Sequence, residues 1–218
     1  MASTPKPSPP PISPESPTPG HETVSDPLGS VRDVVALDLP RHRWTRTEYA
    51  LLDPDVFARC ELIEGEIIDV SPMSRAHALV TDQIHELMSR SVDPAAMCTG
   101  SQTPIIIGEH SEPEPDVWVA HVPRRSLAEG KPLPEELVLV VEVADSSLRV
   151  DRRLKLPLYA SAGIPVMWLV DLTAGRIEIH ADPDTAERRY TTVTLYGGGA
   201  GVPLPWGGEV DFDELLLR

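Results

Sequence analysis

Leu137-Val138-Leu139-Val140-Val141-Glu142-Val143 is an unbroken apolar run with one carboxylate set into it. Turn-forming Pro134-Glu135-Glu136 precedes it and Asp145-Ser146-Ser147 follows it. The run is rich in Val and reads as a strand buried on both faces. A carboxylate in such a strand is costly to bury unless a cation or a metal ion pairs with it. Glu142 is therefore either a paired structural charge or part of a site.

Towards the C-terminus, residues 150–162 read as a helix, stopped by Gly163 with Pro165 beyond it and kinked by Pro157. Val166 to Val170 is a second apolar strand. Arg176 to His180 alternates and predicts a half-exposed strand, with Arg189 to Tyr196 paired beside it. Residues 212–217 close the chain as a short helix or strand. Towards the N-terminus lie a loop over 123–136, strands at 116–120 and Pro104–Ile107, and a weaker strand near Cys98. Ser74 to Val92 predicts a helix capped by Ser74, with Ala76, Leu79, Val80, Ile84, Leu87, Met88 and Val92 as its apolar stripe. Residues 59–64 and 66–70 predict a hairpin around Gly65, and Thr45 caps a short helix before it. This order is that of an α/β domain, a mixed β-sheet flanked by helices with antiparallel strands at its margin.

Residues 1–43 hold ten of the 24 prolines and predict a disordered tail ahead of a folded domain over 44–218. No apolar run reaches transmembrane length, and the start of the chain lacks the apolar core of a secretory signal. Cys60 and Cys98 lack metal-ligand spacing and any disulfide framework, so the simplest setting is the reduced cytoplasm. The net charge of −15 belongs almost wholly to the folded part and argues against a broad basic nucleic-acid surface. A local basic patch, or a metal ion that reverses the field, remains compatible with it. His77 and His85 lie eight residues apart on one helix, too far to chelate one ion, and read as partly exposed helix histidines. Trp118 and Trp168 read as core, Tyr159 as helix-to-sheet packing with its hydroxyl at the rim, and Gly197-Gly198-Gly199 as a flexible turn.

Asp116 starts one strand directly after Pro115, and Glu142 lies near the end of another, 26 positions on. A returning strand can bring the two carboxylates together, where they repel unless a cation lies between them. Two acids and a backbone carbonyl, that of Val143, form a set Mg²⁺ accepts. Lys155 follows 13 residues after Glu142 on the next helix, where it is either a solvated lysine or an ammonium aimed at the same place. Arg152 and Arg153 beside it suggest a phosphate-facing patch.

These residues carry a family resemblance. Glu61-Leu62-Ile63-Glu64-Gly65-Glu66 with Ser71-Pro72, then Pro115-Asp116-Val117, then Val140-Val141-Glu142-Val143 with Ser146-Ser147 are its first landmarks. Asp151 through Lys155 to Leu158-Tyr159-Ala160-Ser161-Ala162-Gly163-Ile164-Pro165, and Trp168-Leu169-Val170-Asp171, complete it. Over about Cys60 to His180 the chain resembles the Uma-type restriction endonucleases, a bacterial group formerly a domain of unknown function, within the PD-(D/E)xK nuclease superfamily. The resemblance implies a restriction-endonuclease-like fold and Mg²⁺-dependent hydrolysis of DNA phosphodiester bonds, with Mn²⁺ able to substitute. It makes Asp116 and Glu142 the metal-holding acids, Lys155 the catalytic lysine, and Glu61 either a supporting ligand or a structural acid of the hairpin. The simple superfamily pattern places the lysine where this chain has Ala144; Lys155 matches branches that carry it on the following helix. Nuclease-fold proteins often act as homodimers. A different class of function, a binding or regulatory module that no longer cuts, keeps the acids for structure. A positive groove around Lys155 would favour the nuclease, and uniform acidity the module.

Overall fold

In the computed structural model the described residues are 41–57, 59–70, 72–127, 130–145 and 147–218. The tail expected over 1–43 falls almost wholly outside them. The apolar Glu142 run is β5 (Leu137–Ala144), third in a six-stranded sheet of order β3-β4-β5-β6-β7-β8. The other strands are β3 (Cys98–Ser101), β4 (Val117–Ala120), β6 (Val166–Asp171), β7 (Arg176–Asp184) and β8 (Arg189–Tyr196). Only β5 and β6 run parallel, from Val140↔Met167 to Ala144↔Asp171; every other pairing in this sheet is antiparallel. A parallel pair needs a crossover, and the helix over 148–161 supplies it.

The alternation of β5 divides two cores. Leu139, Val141 and Val143 face Val80, Ile84, Leu87 and Met88 of the helix Arg75–Ser91, with Phe212 and Leu215 of the closing helix Phe212–Leu215. Val140 and Ala144 face Leu158, Tyr159 and Ala160 of the crossover helix, with Trp118. Both faces of the strand are covered, which is why it reads as a continuous apolar run. A two-stranded hairpin, β1 (Cys60–Ile63) with β2 (Glu66–Asp69), stands apart from this sheet. β9 (Gly201–Pro203) and β10 (Glu209–Asp211) form a second. Among the described residues no helix is long and apolar enough to cross a membrane.

Three sequence expectations change, and a fourth changes in part. Pro104–Ile107 is no strand: Ile105, Ile106 and Ile107 donate to the carbonyls of Pro113, Pro132 and Ser111, so loops satisfy the backbone while Ile105 and Ile106 fill the core. Ala76 and Leu79 are exposed, and Thr81 takes a buried place on the helix instead. Tyr159 is wholly buried, so its hydroxyl does not reach a rim. β7 is partly exposed as expected, but not by its polar face: Glu178 and His180 are buried with Ile177. Glu178 accepts from Arg152 and, at 3.0 Å, from Arg176, so its alternation marks polarity rather than solvent.

Gly100 pairs with Trp118 across β3 and β4, and a Cβ there would lie 2.2 Å from the indole Cζ2. The indole is fully buried and its Nε1 donates to Thr103 Oγ1 at 2.9 Å, so it has nowhere to go. Gly100→Ala is expected to cost about 1–3 kcal/mol by overpacking. Urea denaturation of the variant measures it, and an unchanged midpoint would contradict the packing argument.

Candidate active site

The crossover helix is built in three pieces: Leu148–Val150, a wide π-type turn over Asp151–Lys155, and Leu156–Ser161. Pro157 explains the wide turn, since proline lacks an N–H and its ring crowds the carbonyl four residues back. The turn points both Asp151 and Lys155 at the sheet, where they are buried. The helix ends where Gly163 takes φ +73°: Gly163 N–H donates to Ala160 O and Ile164 N–H to Tyr159 O. This left-handed cap locks Ile164 and Tyr159 into the core and fixes the register of the helix above β5.

Lys155 Nζ lies 3.1 Å from Glu142 Oε2 and 3.0 Å from Glu61 Oε1, and it donates to the Glu114 carbonyl at 3.3 Å. Glu61 comes from the hairpin, whose tight turn has Glu64 at φ 52° and Gly65 at φ 87°. Gly65 is required twice over, because a Cβ there would also lie 2.1 Å from Arg43 Cγ. Glu142 Oε1 accepts from the Tyr159 hydroxyl at 2.6 Å. Asp116 stands beside this triad: its Oδ2 accepts the Val143 N–H at 2.7 Å and lies 3.1 Å from His77 Nε2. Val143 therefore presents its N–H to Asp116, and its carbonyl shares that side of the strand.

Asp116, Glu142, Lys155 and Glu61 thus line one cleft of about 350 Å³, whereas Val143 is not on its lining and meets it only through the N–H given to Asp116. Two participants were missed in the sequence. His77 is not a bystander; it sits in the first turn of its helix, where Ser74 accepts its N–H, and faces Asp116. Asp151 lies on the cleft wall, accepting from Ser147 at 2.7 Å. Arg152 leans the other way, onto Glu178, rather than into the cleft.

Burial and its acidic neighbours hold the Glu142 carboxyl well above the ordinary glutamate range, only partly offset by Lys155. Burial likewise raises Glu114 and Asp151. Burial alone would lower Lys155, but the combined field of Glu142, Glu61, Asp151 and Asp116 outweighs it and raises the ammonium above its ordinary value. Burial also lowers His77, but Asp116 outweighs it, so the net direction is upward. The ammonium form of Lys155 is thereby favoured, while burial favours the neutral forms of Glu142, Glu114 and Asp151.

No three His, Cys, Asp or Glu side chains among the described residues converge as a ready metal cage. A Mg²⁺ ion does not need one; it binds through one or two carboxylates and keeps water or substrate oxygens for the rest. The donor set fits that pattern. Asp116 and Glu142 offer hard oxygens, and Glu61 Oε2 is buried with no hydrogen-bond partner. The lining carries seven carboxyl groups against Arg59 and Lys155, so the positive groove expected for a nuclease is not what the protein side chains make. A divalent ion would reverse the field locally.

The family model described as "Putative restriction endonuclease", Uma2, matches residues 47–207. The fold is similar to the crystal structure titled as a putative nuclease belonging to DUF820 from Anabaena variabilis ATCC 29413, with TM-score 0.64 and 18% identity over 80% of this chain and 98% of that one. No curated protein matches the chain.

Proposed function

The chain belongs to the Uma2 restriction endonuclease family, and from that premise we propose that it is a Mg²⁺-dependent endonuclease of the PD-(D/E)xK type acting on DNA. The observation that carries this reading is the buried Lys155 held between Glu142 and Glu61 beside Asp116. Buried ion clusters are poor stabilisers compared with apolar packing. Titratable groups shifted by burial and by specific charge partners in a cleft are the arrangement expected of a reactive site.

Asp116 and Glu142 would hold the ion, with the Val143 carbonyl and Glu61 as further oxygens. When bound, the ion would supply Lewis-acid stabilisation of the scissile phosphate and lower the pKa of an attacking water. The protein's own groups then act by position. Val143 N–H and His77 both engage Asp116 Oδ2, leaving Oδ1 free of either bond. Tyr159 fixes the Glu142 carboxylate from behind. The Lys155 ammonium stabilises negative charge on a phosphate oxygen. Two copies would address two strands of a duplex.

His77→Ala is expected to weaken Mn²⁺ or Mg²⁺ binding by about 10–100-fold through loss of the Asp116 contact, whereas His77→Gln, which keeps a donor, loses much less. Calorimetric titration of the variants measures both; equal losses would remove His77 from the positioning role.

The acidity of the cleft favours a second reading, a nuclease-fold binding module. Cleavage separates the two. Supercoiled plasmid and synthetic oligonucleotides are incubated with Mg²⁺, Mn²⁺ or EDTA, using wild type and Asp116→Asn. Metal-dependent cutting absent from the variant supports the nuclease. No cutting on any substrate, with no metal bound in calorimetry, leaves the module.

A further inference from the structure

The wide turn Asp151–Lys155 has a second grip on the sheet, outside the cleft. Glu142 lies opposite Leu169 in the register of β5 and β6, and Leu169 lies opposite Glu178 in that of β6 and β7. Residues directly opposite share one face, so the two acids stand in one row beneath the crossover helix, about 10 Å apart across two strand spacings. Both are buried, Glu142 at 2% and Glu178 at 6% exposure, and Leu169 fills the row between them. The turn reaches both ends of the row. Lys155 Nζ meets Glu142 Oε2, and Arg152 donates to Glu178 Oε1.

We propose that Arg152 is a positioning residue: clamped to Glu178, it holds the wide turn in the register that aims Lys155 into the cleft. The consequence for cleavage rests on the nuclease reading, whereas the clamp itself does not. Leu156 N–H donates to Asp151 O, five residues back, so the turn holds one residue more than an α-helical turn would. Slipping back to the ordinary register by one residue turns a helix by about 100°. The far flank cannot take up that rotation, because Leu158, Tyr159 and Ala160 are buried and the Gly163 cap fixes them. The slip would fall on the stretch that carries Arg152 and Lys155. Lys155 alone resists it poorly, since its ammonium ends a flexible stem that can follow Glu142 through a range of backbone positions. Arg152 grips a second point three residues earlier, and two points fix a rotation that one leaves free. The anchor is itself secured from β7: Arg176 lies 3.0 Å from Glu178 Oε1, and His180 Nε2 lies 3.4 Å from Oε2. Loss of Arg152 therefore frees the turn without leaving a buried charge unpaired.

The test is pulsed acetylation of the full chain with an N-hydroxysuccinimide ester, read by mass spectrometry at each lysine, beside thiol labelling of Cys98. Lys155 is 6% exposed and should be protected in the wild type, with the more open Lys131 as the reactive control. In Arg152→Met, Lys155 is expected to acetylate about tenfold faster, while Lys131 and the buried Cys98 keep their wild-type rates. Arg152→Lys returns a cation to Glu178 and should recover most of the protection. Steady-state cleavage by Arg152→Met should lose about 10–100-fold in kcat with KM nearly unchanged, because a reacting group displaced by about 1 Å costs rate more than binding. Glu178→Gln keeps the shape, drops the charge and gives the same readings should Arg152→Met fail to fold. Lys155 as protected in these variants as in the wild type overturns the inference. Lys155 and Cys98 labelled together report a general loss of fold and overturn it too. A cleavage defect confined to KM would make Arg152 a substrate contact and has the same consequence. Lys155 released by Arg152→Met in a chain whose wild type shows no metal-dependent cutting supports the clamp and overturns the nuclease reading.

Discussion

Lys155→Met is expected to cut metal-dependent cleavage by about 10²–10³-fold or more if, as proposed, its ammonium stabilises charge on the scissile phosphate. It should also cost about 3–5 kcal/mol of stability at neutral pH. Methionine nearly fills the lysine volume, so a cavity is not the cause. The cause is Glu142, 2% exposed, left without its cation. The stability loss should shrink as the solution is acidified, because a protonated Glu142 no longer needs a partner. A double variant, Lys155→Met with Glu142→Gln, separates the two roles: the buried set loses both charges, so stability should recover in part while cleavage stays lost. Urea melts and a plasmid-nicking assay measure both quantities. Wild-type cleavage by Lys155→Met would remove the lysine from the mechanism, and an unchanged stability would show the triad is solvated.

The second large effect is the pH dependence of metal binding. The Glu142 pKa is raised above the ordinary 4.5, and Asp151 is raised above 3.8, chiefly by burial. A carboxyl raised by folding binds its proton more tightly in the folded chain than in the unfolded one. Its stabilising contribution is full below the unfolded pKa and is lost as pH rises through the folded one. Without metal, these groups therefore destabilise the fold progressively above the ordinary carboxylate range. A divalent cation bound as proposed would take the proton's place over that same window, so its affinity should rise with pH. Mg²⁺ or Mn²⁺ should stabilise the fold more at alkaline than at acid pH, by up to about 2.7 kcal/mol of unfolding free energy at a hundredfold excess over Kd. In Glu142→Ala the metal-dependent shift should vanish at both pH values. Scanning calorimetry with and without the ion reads this directly. A metal effect that persists in Glu142→Ala would place the ion elsewhere.

Much of the fold was legible from local pattern. β5 and β6 appear as apolar runs because a sheet covered on both sides leaves no polar face to alternate. The helix capped by Ser74 and the crossover ended by Gly163 carry their stop and start signals within a few residues. Asp116, Glu142 and Lys155 were legible as a set only through spacing and resemblance, since each alone has an ordinary structural reading. Pro104–Ile107 has the apolar run of a strand without being one, because distant carbonyls of Pro113 and Pro132 satisfy its N–H groups.

By itself the sequence determined the α/β order of elements, the two-sided burial of β5 and an acid in its interior, all of which follow from side-chain periodicity along a few residues. Tertiary structure alone decided what gathers round that acid. Lys155 turns inward to Glu142 through the wide turn ahead of Pro157, Glu61 reaches the same ammonium from a hairpin 81 positions before Glu142, and His77 meets the neighbouring Asp116. Those meetings depend on how the crossover helix and the hairpin dock on the sheet. Docking is a matter of long-range packing, and no window of sequence carries it.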